Sequence, residues 1–230
     1  RRIGANLSVA MIMADSQNGE ILAEIGSANY FDRARSGWID MTRVPRSPGS
    51  TLKPFIYGLA LEQGIAAPET LMEDRPTNFS GYRPRNFDTE YRGSVTMREA
   101  LQLSLNVPAV QLLDSVGAPT LVQRMRRAGL NPVFPKVEEP GLSIGLGGVG
   151  LSLADLLQAY AALANGGTKV TLTNGLSAPL PYRHETILSP QAAWQITDIL
   201  AQIPAPANAV SRTVAYKTGT SYGYRDAWSI

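Results

Sequence analysis

The spacing of apolar positions changes twice along the chain, from strand-like to helical and back. Residues 7–14 are rich in β-formers, 20–26 resume that character, and Asn18-Gly19 supplies a turn signal between them, so the opening reads as a hairpin. A polar loop covers 27–48. Over 50–63 the period becomes helical, with Leu52, Phe55, Ile56 and Leu59 on one face and Gly64 placed to stop the helix. Residues 65–95, rich in Pro, Arg, Asn and Gly, read as loop. Thr96 and Glu99 form a capping box that starts a helix running to about Ser104. Further helices are predicted over 108–116, ended by Gly117, and over 119–128, ended by Gly129. Ser152 with Asp155 caps another through Ala164, and Ser189-Pro190 opens the last, to about Ile203. Residues 214–220 return to strand character.

Strands at both ends with helices between them do not make the alternation of a parallel sheet. The pattern predicts an α+β fold, an antiparallel β-sheet flanked by helices and carrying an all-helical subdomain. A chain of 230 residues suffices for one large domain, with room for two lobes around a cleft.

Composition narrows the chemistry. The 21 basic and 19 acidic residues leave a net charge of +2 and are scattered, which argues against a nucleic-acid surface. No apolar run approaches the roughly 18 residues that span a bilayer, and nothing reads as a signal peptide. A protein working outside the cytoplasm would therefore carry its anchor outside this sequence. Cysteine is absent, which removes disulfides, thiolate metal sites and cysteine nucleophiles. The single histidine, His184, lies in the polar stretch Pro181-Tyr182-Arg183-His184-Glu185 and reads as a solvated loop residue. Covalent catalysis would have to come from Ser, Thr or Lys.

Three short motifs occur in order: Ser50-Thr51-Leu52-Lys53, Ser104-Leu105-Asn106, and Lys217-Thr218-Gly219-Thr220. Each alone is weak. Ser50 follows the Pro48-Gly49 turn and opens a helix, so Lys53 lies one turn along on the same face. A lysine held neutral by burial and nearby cations can take a serine proton, and a helix N-terminus favours an oxyanion. The plainer alternative makes Ser50 an N-cap and Lys53 a solvated residue. Ser104 and Asn106 fall between two helices, where a hydroxyl can relay protons and a carboxamide can grip a peptide bond. Alternatively, Asn106 caps the helix near Pro108. The third motif is a strand with a cation, two hydroxyls and a glycine, suited to a substrate carboxylate, or else an ordinary sheet edge.

Together, Ser-x-x-Lys, Ser-x-Asn and Lys-Thr-Gly are the signature of penicillin-binding proteins and serine β-lactamases. The strings Arg46-Ser47-Pro48-Gly49-Ser50-Thr51-Leu52-Lys53-Pro54-Phe55 and Lys217-Thr218-Gly219-Thr220-Ser221-Tyr222 resemble the transpeptidase domain of class A penicillin-binding proteins. Gly145-Leu146-Gly147-Gly148 and the helix with Gln158-Ala159-Tyr160 match a further segment, and the ending from Tyr222 to Trp228 most resembles the 1C branch. The resemblance covers essentially the whole chain.

The resemblance implies an enzyme of the bacterial periplasm, anchored in the inner membrane through the parent protein, that needs no cofactor and no metal. Ser50 would attack the carbonyl of a D-Ala-D-Ala stem peptide, D-Ala would leave, and an amine of a neighbouring stem would take the acyl group. Lys53 would be the base, Ser104 would pass the proton to the leaving amine, and Lys217 would set the local field. Asn106 would hold the substrate amide; Thr218, Gly219 and Thr220 would form the strand that receives its carboxylate. The N–H groups of Ser50 and Thr220 would make the oxyanion hole. β-Lactams would acylate Ser50 in the same way.

The rival class A β-lactamase reading needs a Glu-x-x-Leu-Asn motif, and Glu139-Pro140-Gly141-Leu142-Ser143 has Ser143 where Asn would stand. A carboxypeptidase, with water as acceptor, and a penicillin-binding sensor or scaffold with little turnover stay open. The family pattern also places strands and a last helix beyond Ile230, and a glycosyltransferase domain and membrane anchor upstream. Without those strands, 214–220 would lack a ladder partner, and a second chain could complete the sheet.

Overall fold

The structure is a computed structural model describing residues 7–135, 141–175, 185–205 and 214–230. His184 and Glu139 lie outside the described residues.

The opening hairpin forms as β1 (Met11–Ala14) and β2 (Ile21–Ile25), antiparallel, with Met11 opposite Ile25 and an irregularity between Met13 and Ala14. Its apolar side chains Met11, Met13, Leu22 and Ile25 are exposed. After the polar loop the chain enters a 3₁₀ turn, Gly49–Leu52, which passes directly into α1 (Lys53–Glu62). Helix α1 is apolar on all sides and is buried from Lys53 to Ala60, the mark of a central helix. It packs against two later helices, Asn106–Val116 and Pro190–Ala201.

The segment read as loop holds a second hairpin, β3 (Leu71–Asp74) with β4 (Gly93–Thr96), Met72 opposite Val95 and Asp74 opposite Gly93. Its strands are four residues long and separated by a polar excursion, so no apolar alternation extends far enough to betray them. Helices α2 (Met97–Gln102), α3 (Asn106–Val116) and α4 (Ala118–Arg127) follow, α2 with the expected Thr96–Glu99 capping box. Helix α3 starts two residues earlier than predicted, so Asn106 is its first residue and not its cap. A 3₁₀ turn at Leu142–Leu146, then α5 (Leu153–Ala164), capped by Ser152 and Asp155, and α6 (Pro190–Ala201) complete the helices. A continuous core joins Leu52, Phe55, Ile56 and Leu59 to Leu101, Leu113, Leu121, Ile144, Leu156 and Ile196.

The chain ends in a third hairpin, β5 (Thr218–Thr220) with β6 (Ala227–Ser229). The expectation that 214–220 has no ladder partner is therefore not met. The chain reverses at once through Gly223 and Tyr224, both at positive φ, and the final residues pair back on β5. The fold is α+β, but the described strands form three separate two-stranded sheets and not one. No described helix is long and apolar enough to cross a membrane.

Candidate active site

Three segments distant in sequence meet beside the first turn of α1, and close backbone approach brings them there. Gly49 has φ +54°, and a Cβ at that position would lie 2.5 Å from Thr220 O. Gly219 reciprocates: its Cβ would lie 2.5 Å from Pro48 O and 2.7 Å from Thr51 Cγ2. The turn before α1 and strand β5 thus touch backbone to backbone, which only glycine permits. On the other flank Ser47 Oγ donates to Gly147 O at 2.8 Å.

The β5–β6 register sets which groups β5 offers. Lys217 and Ile230 exchange both backbone hydrogen bonds. Antiparallel alternation then makes Thr218–Ser229 and Thr220–Ala227 the non-hydrogen-bonded pairs. The N–H of Thr220 accordingly points away from β6, on the flank where Gly49 approaches. The first N–H groups of the turn carrying Ser50 lack intrahelical acceptors as well.

Beneath this junction two lysines are buried, and both point at the α2–α3 connection. Lys53 Nζ donates to Ser104 O at 2.5 Å, to Asn106 Oδ1 at 2.6 Å and to Ser104 Oγ at 3.4 Å. Lys217 Nζ donates to Ser104 Oγ at 2.8 Å and to Thr218 O at 2.9 Å. Ser104, which serves both, adopts φ +57°, a left-handed conformation that costs a non-glycine residue about 1 kcal/mol or more. Burial pushes the Lys53 amine well below the ordinary lysine range, the Lys217 charge pushes the same way, and the Asp74 charge opposes both. Burial lowers Lys217 to about 8.

Above the lysines lies a cavity of about 730 Å³. Ser50, Ser104 and Asn106 line one side, and Thr218, Gly219 and Thr220 the other. Phe87 and Tyr224 approach each other edge to face at its rim, with ring centroids 5.5 Å apart. All eight residues singled out in the sequence therefore surround one space, Lys53 and Lys217 from below. One contact does not form: the Lys53 backbone N–H donates to Ser50 O, but no hydrogen bond joins Ser50 Oγ to Lys53 Nζ among the described residues.

A family model described as the penicillin binding protein transpeptidase domain matches residues 9–227. The chain belongs to the transpeptidase domain of class A penicillin-binding proteins. It is 42% identical to penicillin-binding protein 1C of Escherichia coli (strain K12) over 233 residues, covering all of this chain and 30% of that protein. Penicillin-binding protein 1F of Bacillus subtilis (strain 168) is 31% identical, with 97% of this chain and 33% of that protein covered. The chain thus spans about a third of the length of these relatives. Its fold is that of penicillin-binding protein 1A from Haemophilus influenzae, with TM-score 0.79 at 20% identity over 96% of this chain and 41% of that one. The Mycobacterium tuberculosis protein PonA1, solved in complex with penicillin V, gives TM-score 0.75 at 22% identity over 96% of this chain and 64% of that one.

Within this transpeptidase fold, several site residues carry no signal in the sequence. Asp74 is fully buried, and its two oxygens accept from Asn86 Nδ2 at 2.9 and 2.8 Å. Asn86 Oδ1 accepts from the backbone N–H of Asn106 at 2.8 Å, capping α3 from twenty residues away. Tyr160 Oη donates to Thr51 O at 2.8 Å and stacks edge to face on Phe55, which steadies the turn of Ser50. Asp226 accepts from Arg46 Nε at 2.6 Å, and Trp228 Nε1 donates to Ser47 O at 2.8 Å. Tyr160, Asp226 and Trp228 lie within strings that resemble the family, but no spacing rule gives them a role. Asp74 and Asn86 sit in a stretch read as loop.

Proposed function

We propose that this chain is a serine D,D-transpeptidase that cross-links peptidoglycan stem peptides in the bacterial cell envelope. The observation that carries the proposal is the pair of buried lysines converging on Ser104 and Asn106 beneath a cavity that Ser50 lines. A neutral Lys53 amine takes the Ser50 proton, and Ser50 Oγ attacks the carbonyl carbon of the penultimate D-Ala. The Ser50 and Thr220 N–H groups receive the oxyanion. Ser104 Oγ, polarised by Lys217, gives its proton to the departing D-Ala nitrogen and takes one back from the Lys53 ammonium, 3.4 Å away, which leaves the stem peptide as an ester on Ser50. A stem-peptide amine then attacks that ester, forms the new peptide bond and restores the Ser50 hydroxyl. Asn106 holds the substrate amide, and Thr218 with Thr220 its terminal carboxylate. A β-lactam enters the same path, but its opened ring stays attached to Ser50.

Intact-mass spectrometry after exposure of the intact protein to penicillin tests this reading. We expect a gain of one penicillin mass that persists for many minutes and disappears in Ser50→Ala, while the melting transition is kept. An adduct on another serine, or rapid turnover lost in Glu139→Ala, would replace the reading with a different nucleophile or a β-lactamase.

A further inference from the structure

We propose that Asp74 and Asn86 are positioning residues for acylation, the buried Asp74 carboxylate acting through Asn86 to fix both Asn106 and the amine of Lys53. The inference rests on the reading of Lys53 as base for Ser50.

The chain of contacts is continuous. The last residue of β3 turns Asp74 inward, away from water. Its oxygens accept from Asn86 Nδ2, and Oδ2 also accepts from the Arg92 N–H at 2.8 Å. Asn86 Nδ2 donates further to Glu90 O at 2.8 Å, so the amide is held from two sides and its Oδ1 is aimed at the Asn106 N–H. Asn106 cannot then rotate freely. Its Nδ2 donates to Arg85 O at 2.6 Å, which leaves Oδ1 as the acceptor for Lys53. Every donor in this buried row has an acceptor. Such a network is worth retaining only if complete, because an unpaired member would cost more than an apolar replacement.

The row also bears a charge. Two charged groups act on the Lys53 amine, Lys217 just before β5 and Asp74 at the end of β3, while Ser104, in the α2–α3 connection, and Asn106, the first residue of α3, face it uncharged. The Arg92 side chain does not neutralise Asp74, since its guanidinium pairs with Asp88 and Glu90. The buried Tyr57 hydroxyl, one helical turn after Lys53, has no hydrogen-bond partner among the described residues. Burial and, secondarily, the Asp74 charge hold it protonated. Lys217 favours the neutral amine that acylation needs, and Asp74 favours the charged one. Asp74 therefore raises the pH at which Lys53 becomes available, against the larger effects of burial and Lys217, in addition to fixing where it points.

The test is the pH profile of penicillin acylation in Asp74→Asn, made in the intact protein and followed by mass. With the opposing charge gone, the amine loses its proton more easily. The acidic limb of the profile should move to lower pH by about one unit, the scale of a nearby charge. The maximal rate should fall as well, since an amide in place of the carboxylate meets the Arg92 N–H with a donor or loses one bond to Asn86. A reduced rate with the limb unmoved would leave only a structural role and overturn the tuning. Asn86→Ser serves where Asp74→Asn does not give a cooperative melt. It keeps the charge but frees Asn106, so acylation should fall at least about tenfold, in line with lost positioning of a catalytic group, with the limb in place. Wild-type acylation by Asn86→Ser would overturn the positioning. Absence of any adduct on wild-type Ser50 would instead sink the reading of the site itself, and the two failures are separate.

Discussion

Lys53 has no exchangeable substitute among the basic side chains, because its proposed work requires the neutral form. A guanidinium keeps its proton at any ordinary pH. Lys53→Arg should lower the rate of Ser50 acylation at least about a hundredfold, the usual loss with a general base, while the charge in the site is retained. Stopped-flow or quenched acylation with a labelled penicillin measures this, and near-normal rates would transfer the base role to Lys217. At this scale the sequence speaks through residues whose chemistry is visible in their type and spacing: Ser50, Lys53, Ser104, Asn106 and Lys217. It is silent about Asp74 and Asn86. A buried aspartate and a solvated one look the same in a string, and an asparagine in a Pro-Arg-rich stretch looks like loop. The left-handed turn at Ser104 is equally hidden, since only its neighbours in space reveal why a serine carries it.

The elements meet at the site through a close approach of β5 to the turn preceding α1. Gly219→Ala would drive a methyl group to 2.5 Å from Pro48 O, a distance that real Cβ atoms do not tolerate, so β5 must retreat. Overpacking of this kind costs about 2 kcal/mol, and the retreat carries the Thr220 N–H away from Ser50. We expect a lowered melting temperature together with slower acylation. A variant that melts lower but acylates at the wild-type rate would detach the oxyanion role from Thr220. The helices are legible in the sequence because caps and stops mark them: Thr96 with Glu99, Ser152 with Asp155, and Ser189 before Pro190 all act where the pattern puts them. The short strands are not. β3, β4 and β6 are three or four residues long, and each is held by its hairpin partner and its tertiary neighbours, which local periodicity cannot register.

For the molecule as a whole, two buried lysines are a burden on folding, and pH controls its size. Lys217 loses its proton at about 8 in the folded protein, against about 10.4 in an unfolded chain. Between those values the unfolded chain binds more protons, so this group's contribution to stability rises with pH and its penalty is greatest below 8. A Lys217→Met variant should accordingly compare better with wild type at pH 7 than at pH 10, its stability relative to wild type falling by on the order of 2–3 kcal/mol across that window. Paired thermal or urea melts at the two pH values decide it, and a constant difference would mean that Lys217 keeps its proton throughout. The Arg46–Asp226 and Ser47–Trp228 clasps join residues 180 and 181 positions apart, so the wall opposite Ser50 is set only when the chain closes on itself over nearly its whole described length. Closure over so long a loop is costly and comes late in assembly. Under the proposed chemistry, a chain still being synthesised, with Trp228 not yet added, has a serine and its lysine but no cleft to use them. Covalent labelling by penicillin would then count molecules whose clasp has closed and ignore those still open, a folding clock written in the enzyme's own nucleophile.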